Sequence, residues 1–429
     1  MPLNRGRGTV GAVLPIVITV ILLLLPCAWA ASKHKTLYKF TGGLDGNTPA
    51  GDLIFDAAGN LYGTTALGGN GYGVVFKLAP TASGRWRQTV LYRFKGGNDG
   101  EHPVAGLVFD TAGNLYGTTA GNGPTNLGTV FRLASNPDGS WTEKVLHRFR
   151  GGKDGGHPLG GMILDASGNF YGTTFVGGNG APGGGGTVFE LARKPGGGWK
   201  EKVIYSFKWN SDGLWPAAGL VRDSRGNLYG TTDFGGIGDH GAVFKLRPTA
   251  DGSWQEEVIY SFQGAPDGSQ PVASLIFDQA GKLYGTTQWG GTISPNSGVV
   301  FQLTPNQAGD DWSESILYTF CPDDEGICPD GEQPLANLAI DATGNLYGTT
   351  WWGGYFRDCQ QIGDNGCGVV FKLAPNLTGA WKETVVWAFQ DDPGAVPFAG
   401  PTFDAAGNLY GTTGGDGSTT FGSVFEITP

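Results

Sequence analysis

Little in this sequence suits a helical or a nucleic-acid-binding protein. Methionine occurs twice in 429 residues, charged residues make up 15 %, and almost no run at helical spacing appears after residue 30. Basic residues number 28 against 38 acidic ones, a net charge of −10. A protein that follows phosphates needs a basic stripe, so nucleic acid is excluded as a partner. Long apolar runs are missing beyond the N-terminus. What is abundant is glycine, 77 residues, together with 12 % aromatics. There is no strict Gly-X-Y period, which excludes collagen, and the aromatics are too many for a disordered chain. Glycine and aromatics with few helix formers predict many short strands joined by tight turns.

The one long apolar run follows Arg5 and Arg7 and ends at Ala28-Trp29-Ala30. A basic start, an apolar stretch and a small-x-small end read as a secretory signal over 1–30, cut after Ala30. The other reading is an uncleaved anchor, because the run approaches spanning length. Either places residues 31–429 outside the cytoplasm, secreted or in the periplasm or cell envelope. Cleavage removes Cys27 and leaves Cys321, Cys328, Cys359 and Cys367. An even count in an oxidising compartment predicts two disulfides, locally paired as Cys321–Cys328 and Cys359–Cys367. Their spacings are not CxxC and no histidine lies near, which argues against zinc.

The phrase GNLYGTT at 59–65 returns, with at most one change, six more times. Its tyrosine falls at 62, 116, 171, 229, 284, 347 and 410. A period near fifty with strand-like content signals a propeller. One unit reads as four strands: AGLVFD (105–110), NLYGTT (114–119), GTVFRL (128–133) and WTEKVLHRF (141–149). The first is apolar on both sides, as a strand sandwiched between neighbouring blades must be. In the phrase itself the Asp before GN accepts turn N–H groups, the tyrosine packs on the core, and Gly63 and its copies let a neighbouring backbone approach. The recurrent tryptophans, Trp86, Trp141, Trp199, Trp254, Trp312 and Trp381, are expected to wedge between blades with the indole N–H on a carbonyl. The phrase contains no nucleophile with a base and no metal cage, so it builds the blade.

Residues 35–40, KTLYKF, match the fourth strand of a unit, whereas the chain closes with a third strand, GSVFEITP. The expected fold is therefore an all-β, seven-bladed β-propeller of four-stranded blades, a single domain over 31–429. Its ring is closed by the N-terminal strand completing the last blade, made by 398–428.

LYRFKGGNDGEHPVAGLVFDTAGNLYGTTAGN followed by GTVFRLA, with its six copies, resembles the GloVer-type tandem repeats of exported bacterial "choice-of-anchor" proteins. The resemblance covers 36–429. It implies an exported repeat protein, often with a C-terminal sorting signal, and brings no catalytic residues. No such signal is read after Pro429.

Function is expected on the face where the variable loops emerge, those between blades and those between second and third strands. Asp45, Asp99, Asp154, Asp212, Asp267 and Asp330 recur in D-G turns there, one per blade and too few together for a calcium cage. Residues that break the repeat are the better candidates. Trp209, Trp215, Trp289, Trp351, Trp352, Tyr355, Phe356 and Arg357 crowd blades four to six and resemble a carbohydrate-binding surface in kind; packing of loops over the disulfides is the alternative. His102, His157 and His240 are read as exposed residues of the same face. Asp52 is the one acid at a first-strand position where other blades have Gly, Ser274 or Asn337. Three functions remain open. The first is a non-enzymatic binding or scaffold propeller for glycan or protein. The second is a lyase or glycosidase with acids at the mouth of the channel, a glycosidase requiring two carboxyls. The third is a structural envelope repeat. No catalytic residue, cofactor or metal is assigned, and a monomer with no membrane contact after signal removal is expected.

Overall fold

The computed structural model describes residues 32–429 apart from 124–125, 181–183, 210–211, 293–296, 310, 322–327, 355–365, 377–378, 391–394 and 416–419. Met1–Ala31 form a separate unit outside the described residues. The expected signal segment, Tyr355, Phe356, Arg357 and Cys359 therefore lie outside them as well.

Seven antiparallel four-stranded blades make up the ring. Blade 4 serves as the pattern: Val221–Arg222, Leu228–Thr232, Ala242–Pro248 and Trp254–Ser261, from the axis outwards. Blade 7 consists of Thr402–Phe403, Leu409–Thr413, Ser423–Thr428 and, as its outer strand, Lys33–Lys39. Lys33 pairs with Thr428 and Lys39 with Ser423. The ends of the chain thus close the ring, as KTLYKF predicts.

The repeated phrase holds each blade to itself and to the next. In all seven blades the Asp beside the turn accepts the tyrosine hydroxyl, as in Tyr62 to Asp56 at 2.9 Å, and the N–H groups of the residues two and four further on. Four of the first threonines donate across the blade boundary to an alanine carbonyl, for example Thr231 to Ala273 at 3.1 Å. The tryptophans do wedge between blades: Trp254 meets Tyr171 of the preceding blade edge-on at 5.9 Å, and Trp86 meets Tyr410 across the closure. The expected carbonyl is missing at Trp312, whose indole N–H is buried without a partner.

The phrase glycine has a different role from the one expected. No neighbouring backbone presses on it. A Cβ at Gly230 would lie 2.6 Å from the ring of Phe244 on the adjacent strand, and every copy meets its own phenylalanine in the same way. These phenylalanines are fully buried and form the centre of each blade. Gly230→Ala overpacks that centre, and the expected loss of about 1–3 kcal/mol is read as a lower urea midpoint with an unchanged slope.

Each outer strand carries an irregularity just before the aromatic residue near its end, at Leu37 in blade 7 and Leu146 in blade 2, for instance. A bulge re-aims the side chain that follows. Tyr92 thereby reaches the loop carboxylate of Asp99 at 2.7 Å, and Tyr318 reaches Asp330 at 2.7 Å. The same carboxylates accept a backbone N–H four residues earlier, Lys95 for Asp99 and Gln263 for Asp267. The recurrent D-G aspartates therefore brace the junction between blades. A glutamate from the next outer strand faces each of five of them: Glu143, Glu201, Glu256, Glu314 and Glu383. At the first junction Gln88 stands there instead and donates to the Asp45 carbonyl at 3.1 Å.

Cys321 and Cys328 form the predicted disulfide. Cys367 is also disulfide-bonded.

Candidate functional site

The chain enters the axis of the ring through an X-Pro step in every blade. The residue before the proline, Thr48, His102, His157, Trp215, Gln270, Gln333 or Val396, has φ between 54° and 63°. Non-glycine residues seldom adopt this left-handed region, at a cost of about 1–3 kcal/mol each. Hydrogen bonds on both sides hold it there. Its N–H donates to a loop carbonyl of the preceding blade, as Trp215 does to Gly185 at 2.8 Å and Gln333 to Ser297 at 2.8 Å. Its carbonyl accepts from the residue that follows GTT in its own blade, as Trp215 does from Asp233 and Gln333 from Trp351. The proline then packs on a positive-φ glycine that opens the third strand of the preceding blade. A Cβ at Gly186 would lie 2.5 Å from Pro216.

The backbone repeats at this rim and the side chains do not. That contrast marks a display surface, because the fold requires the strained conformation but no particular side chain upon it. The rim offers imidazoles, amides, an indole and a carboxyl. Trp215 is 37 % exposed, lies nearly parallel to Phe175 at 5.6 Å and meets Phe234 edge-on at 5.4 Å. Beside it Asp233 has one carboxyl oxygen buried without a donor, and burial pushes its pKa up to about 6. Two blades further round the ring Trp351 stacks on Trp352 at 4.9 Å and tilts against Phe398 at 5.8 Å. The Trp351 indole N–H has no partner among the described residues.

Below the rim the residues after the prolines line a narrow axial cavity of about 140 Å³, Leu159 and Phe398 among them. Two positions further in, four blades place Gly106, Gly161, Gly219 and Gly400, and three place Asp52, Ser274 and Asn337. These three form a polar relay across blades. The Gly219 N–H donates to Ser274 Oγ at 2.9 Å, the Ser274 N–H to Asn337 Oδ1 at 2.6 Å, and Asn337 Nδ2 to Asp52 Oδ2 at 2.5 Å. The Gly400 N–H donates to the other Asp52 oxygen at 2.7 Å. Burial raises the pKa of Asp52, against the lowering effect of these two donors. Among the described residues Asp52 is the single acid lining this cavity, whereas glycoside hydrolysis requires a pair of carboxyls.

The tryptophans picked from sequence do not form one patch. Trp215 belongs to the Phe175–Phe234 group and Trp351 with Trp352 to the Phe398 group. Trp209 is 48 % exposed, and Trp289 is half-buried in a short ladder opposite Ser269. The three histidines are half-buried, not simply exposed. His102 Nδ1 and His157 Nδ1 bond the Gly121 and Ala120 carbonyls, and His240 Nδ1 bonds Ser269 Oγ. Asp233 was missed. Its signal was present in the sequence: the position after GTT is Ala, Ala, Phe, Asp, Gln, Trp and Gly in successive blades, and only one copy is acidic.

The Gloeobacter/Verrucomicrobia repeat profile matches residues 25–179, 135–358 and 257–429. The chain belongs to this repeat family. The family's matches span the closure strand and all seven blades. No curated protein matches the sequence. Among solved structures, the chain is similar to a putative oxidoreductase (glucose dehydrogenase) of Thermus thermophilus at 14 % identity, TM-score 0.43, over 93 % of this chain and 100 % of that one. It is also similar to the periplasmic gluconolactonase of Pseudomonas aeruginosa at 16 % identity, TM-score 0.47, over 89 % of this chain and 95 % of that one.

Proposed function

We propose that this repeat protein is an exported, monomeric binding propeller that recognises carbohydrate at the rim of its central channel. The observation that carries the reading is the pairing of Trp215 with Asp233. An indole face held on two phenylalanines offers a stacking platform for a sugar ring. The adjacent carboxyl oxygen is buried without a donor, a state that costs free energy until a ligand hydroxyl supplies one. Trp351, with an unpartnered indole N–H above Trp352, offers a second contact of the same kind. Export rests on the basic–apolar–small pattern of 1–30 and on the disulfides.

The test is a glycan array probed with the purified protein, followed by titration of any hit. Trp215→Ala and Asp233→Asn are each expected to weaken binding by about tenfold or more, which is about 1.4 kcal/mol. Trp351→Ala/Trp352→Ala is expected to do so if the ligand spans the rim. A glycan that binds all three variants as well as the parent, or an array without a hit, overturns the proposal.

A further inference from the structure

Most of the seven blade junctions follow one rule, and one departure from it is telling. Four of them bring together a tyrosine from one outer strand, the loop aspartate that follows it and a glutamate from the next outer strand. At the junction of blades 2 and 3 the tyrosine is replaced by His147, while Asp154 and Glu201 keep their places. His147 Nε2 lies 3.2 Å from Asp154 Oδ1. One ligand atom from each of His147, Asp154 and Glu201 falls within 4.8 Å of the other two. Glu201 Oε1 is buried and has no hydrogen-bond partner among the described residues. The three side chains line an open cavity of about 1040 Å³ on the flank of the ring.

We propose that His147, Asp154 and Glu201 bind a divalent transition-metal ion, zinc in chemical type, with an open coordination position facing the flank cavity. A phenol at this position donates a hydrogen bond to the aspartate and closes the junction. An imidazole offers a lone pair in the same place and, with two carboxylates, completes a one-nitrogen, two-oxygen ligand set. Zinc bonds imidazole nitrogen and carboxylate oxygen at about 2.0–2.2 Å, so the three side chains must close in from their present spacing to hold it. The metal would take the place of the proton that Glu201 and Asp154 otherwise share.

The surroundings decide which ion fits. Arg148, Arg150, Lys194 and Lys200 also line the cavity, and their field disfavours any cation held by charge alone. Calcium and magnesium want six or more oxygen ligands and gain little from imidazole. A borderline metal that forms a coordinate bond to nitrogen is the better match. Blade 2 alone has histidine at this position, so the site should bind one ion per chain.

The experiment uses the untagged full-length protein, stripped with EDTA and dialysed against Zn²⁺ or Ca²⁺, with Co²⁺ absorption reporting the ligand geometry. His147→Tyr installs the residue that the sister junctions already accommodate, so its fold should persist, and its melting curve without metal checks this. The expected result is one Zn²⁺ per chain, at least about tenfold weaker binding in His147→Tyr and in Glu201→Gln, and Ca²⁺ binding weaker than Zn²⁺. A stoichiometry of zero, or Zn²⁺ binding that His147→Tyr leaves unchanged, overturns the proposal.

Discussion

A protein lacking residues 32–40 is expected to lose the cooperative melting transition of the whole ring. The deletion removes the outer strand of blade 7 and leaves Ser423–Thr428 as an unpaired edge. It takes Leu37 and Phe40, 8 % and 5 % exposed, out of a core cluster that joins Leu53, Leu61 and Phe76 of blade 1 to Tyr410 and Val424 of blade 7. Losing each of two buried side chains costs about 2–5 kcal/mol, and the ladder bonds go with them. A domain holds only about 5–15 kcal/mol in total, so the ring should open. His34 adds to the effect, because it stacks on Trp387 of blade 6 at 4.8 Å in a site where burial lowers its pKa to about 4. Calorimetry of the parent and the deletion checks this, with a synthetic 32–42 peptide added in trans. A melting temperature within a few degrees of the parent would show that the closure contributes little.

The second large effect is a dependence of stability on pH. Burial, with the neighbouring Asp adding to it at Glu143, Glu256, Glu314 and Glu383, raises these four pKa values to about 7. Glu201 is raised to about 7 in the same way, with His147 opposing. A carboxyl raised in the folded state binds its proton more tightly there than in the unfolded chain. Its contribution is fully present below the unfolded value near 4.5 and is lost as pH rises through about 7. The turn aspartates act in the opposite sense: hydrogen bonds outweigh burial and lower Asp56, Asp110, Asp341 and Asp404, so their contribution fades in strong acid. The ring should therefore be most stable at mildly acidic pH, between these two windows. The glutamates are partly solvated, which reduces each to about 1 kcal/mol. Melting temperatures measured in EDTA from pH 5 to pH 8 should fall with pH, and replacing all five glutamates by glutamine should flatten the slope. Gln88 shows that the junction accepts an amide. A slope that survives the five replacements would place the titration elsewhere.

Much of this was legible in the residues themselves. The seven copies of GNLYGTT give the blade count, because a sequence period is a structural period in a ring where each unit contacts only its neighbours. The closure was readable because KTLYKF matches a fourth strand that the C-terminal unit lacks. The rim was less legible. His102 and Trp215 were visible as departures from the repeat, but nothing local says that a residue before proline takes a left-handed conformation; local sterics disfavour it. Two long-range hydrogen bonds per blade impose it.

By itself the sequence determined the strands, their number, the turn chemistry and the pairing of Cys321 with Cys328, all of which depend on neighbours close in the chain or on exact repetition. Only the tertiary structure decided which repeated glycine packs on which phenylalanine. It also joined Asp52 to Asn337 and Gly400, partners 285 and 348 residues away, and set five glutamates against five aspartates of the adjoining blades. The reason is physical. A propeller brings together residues one full repeat or one full ring apart, and the free energy of such contacts depends on burial and geometry that no single blade contains.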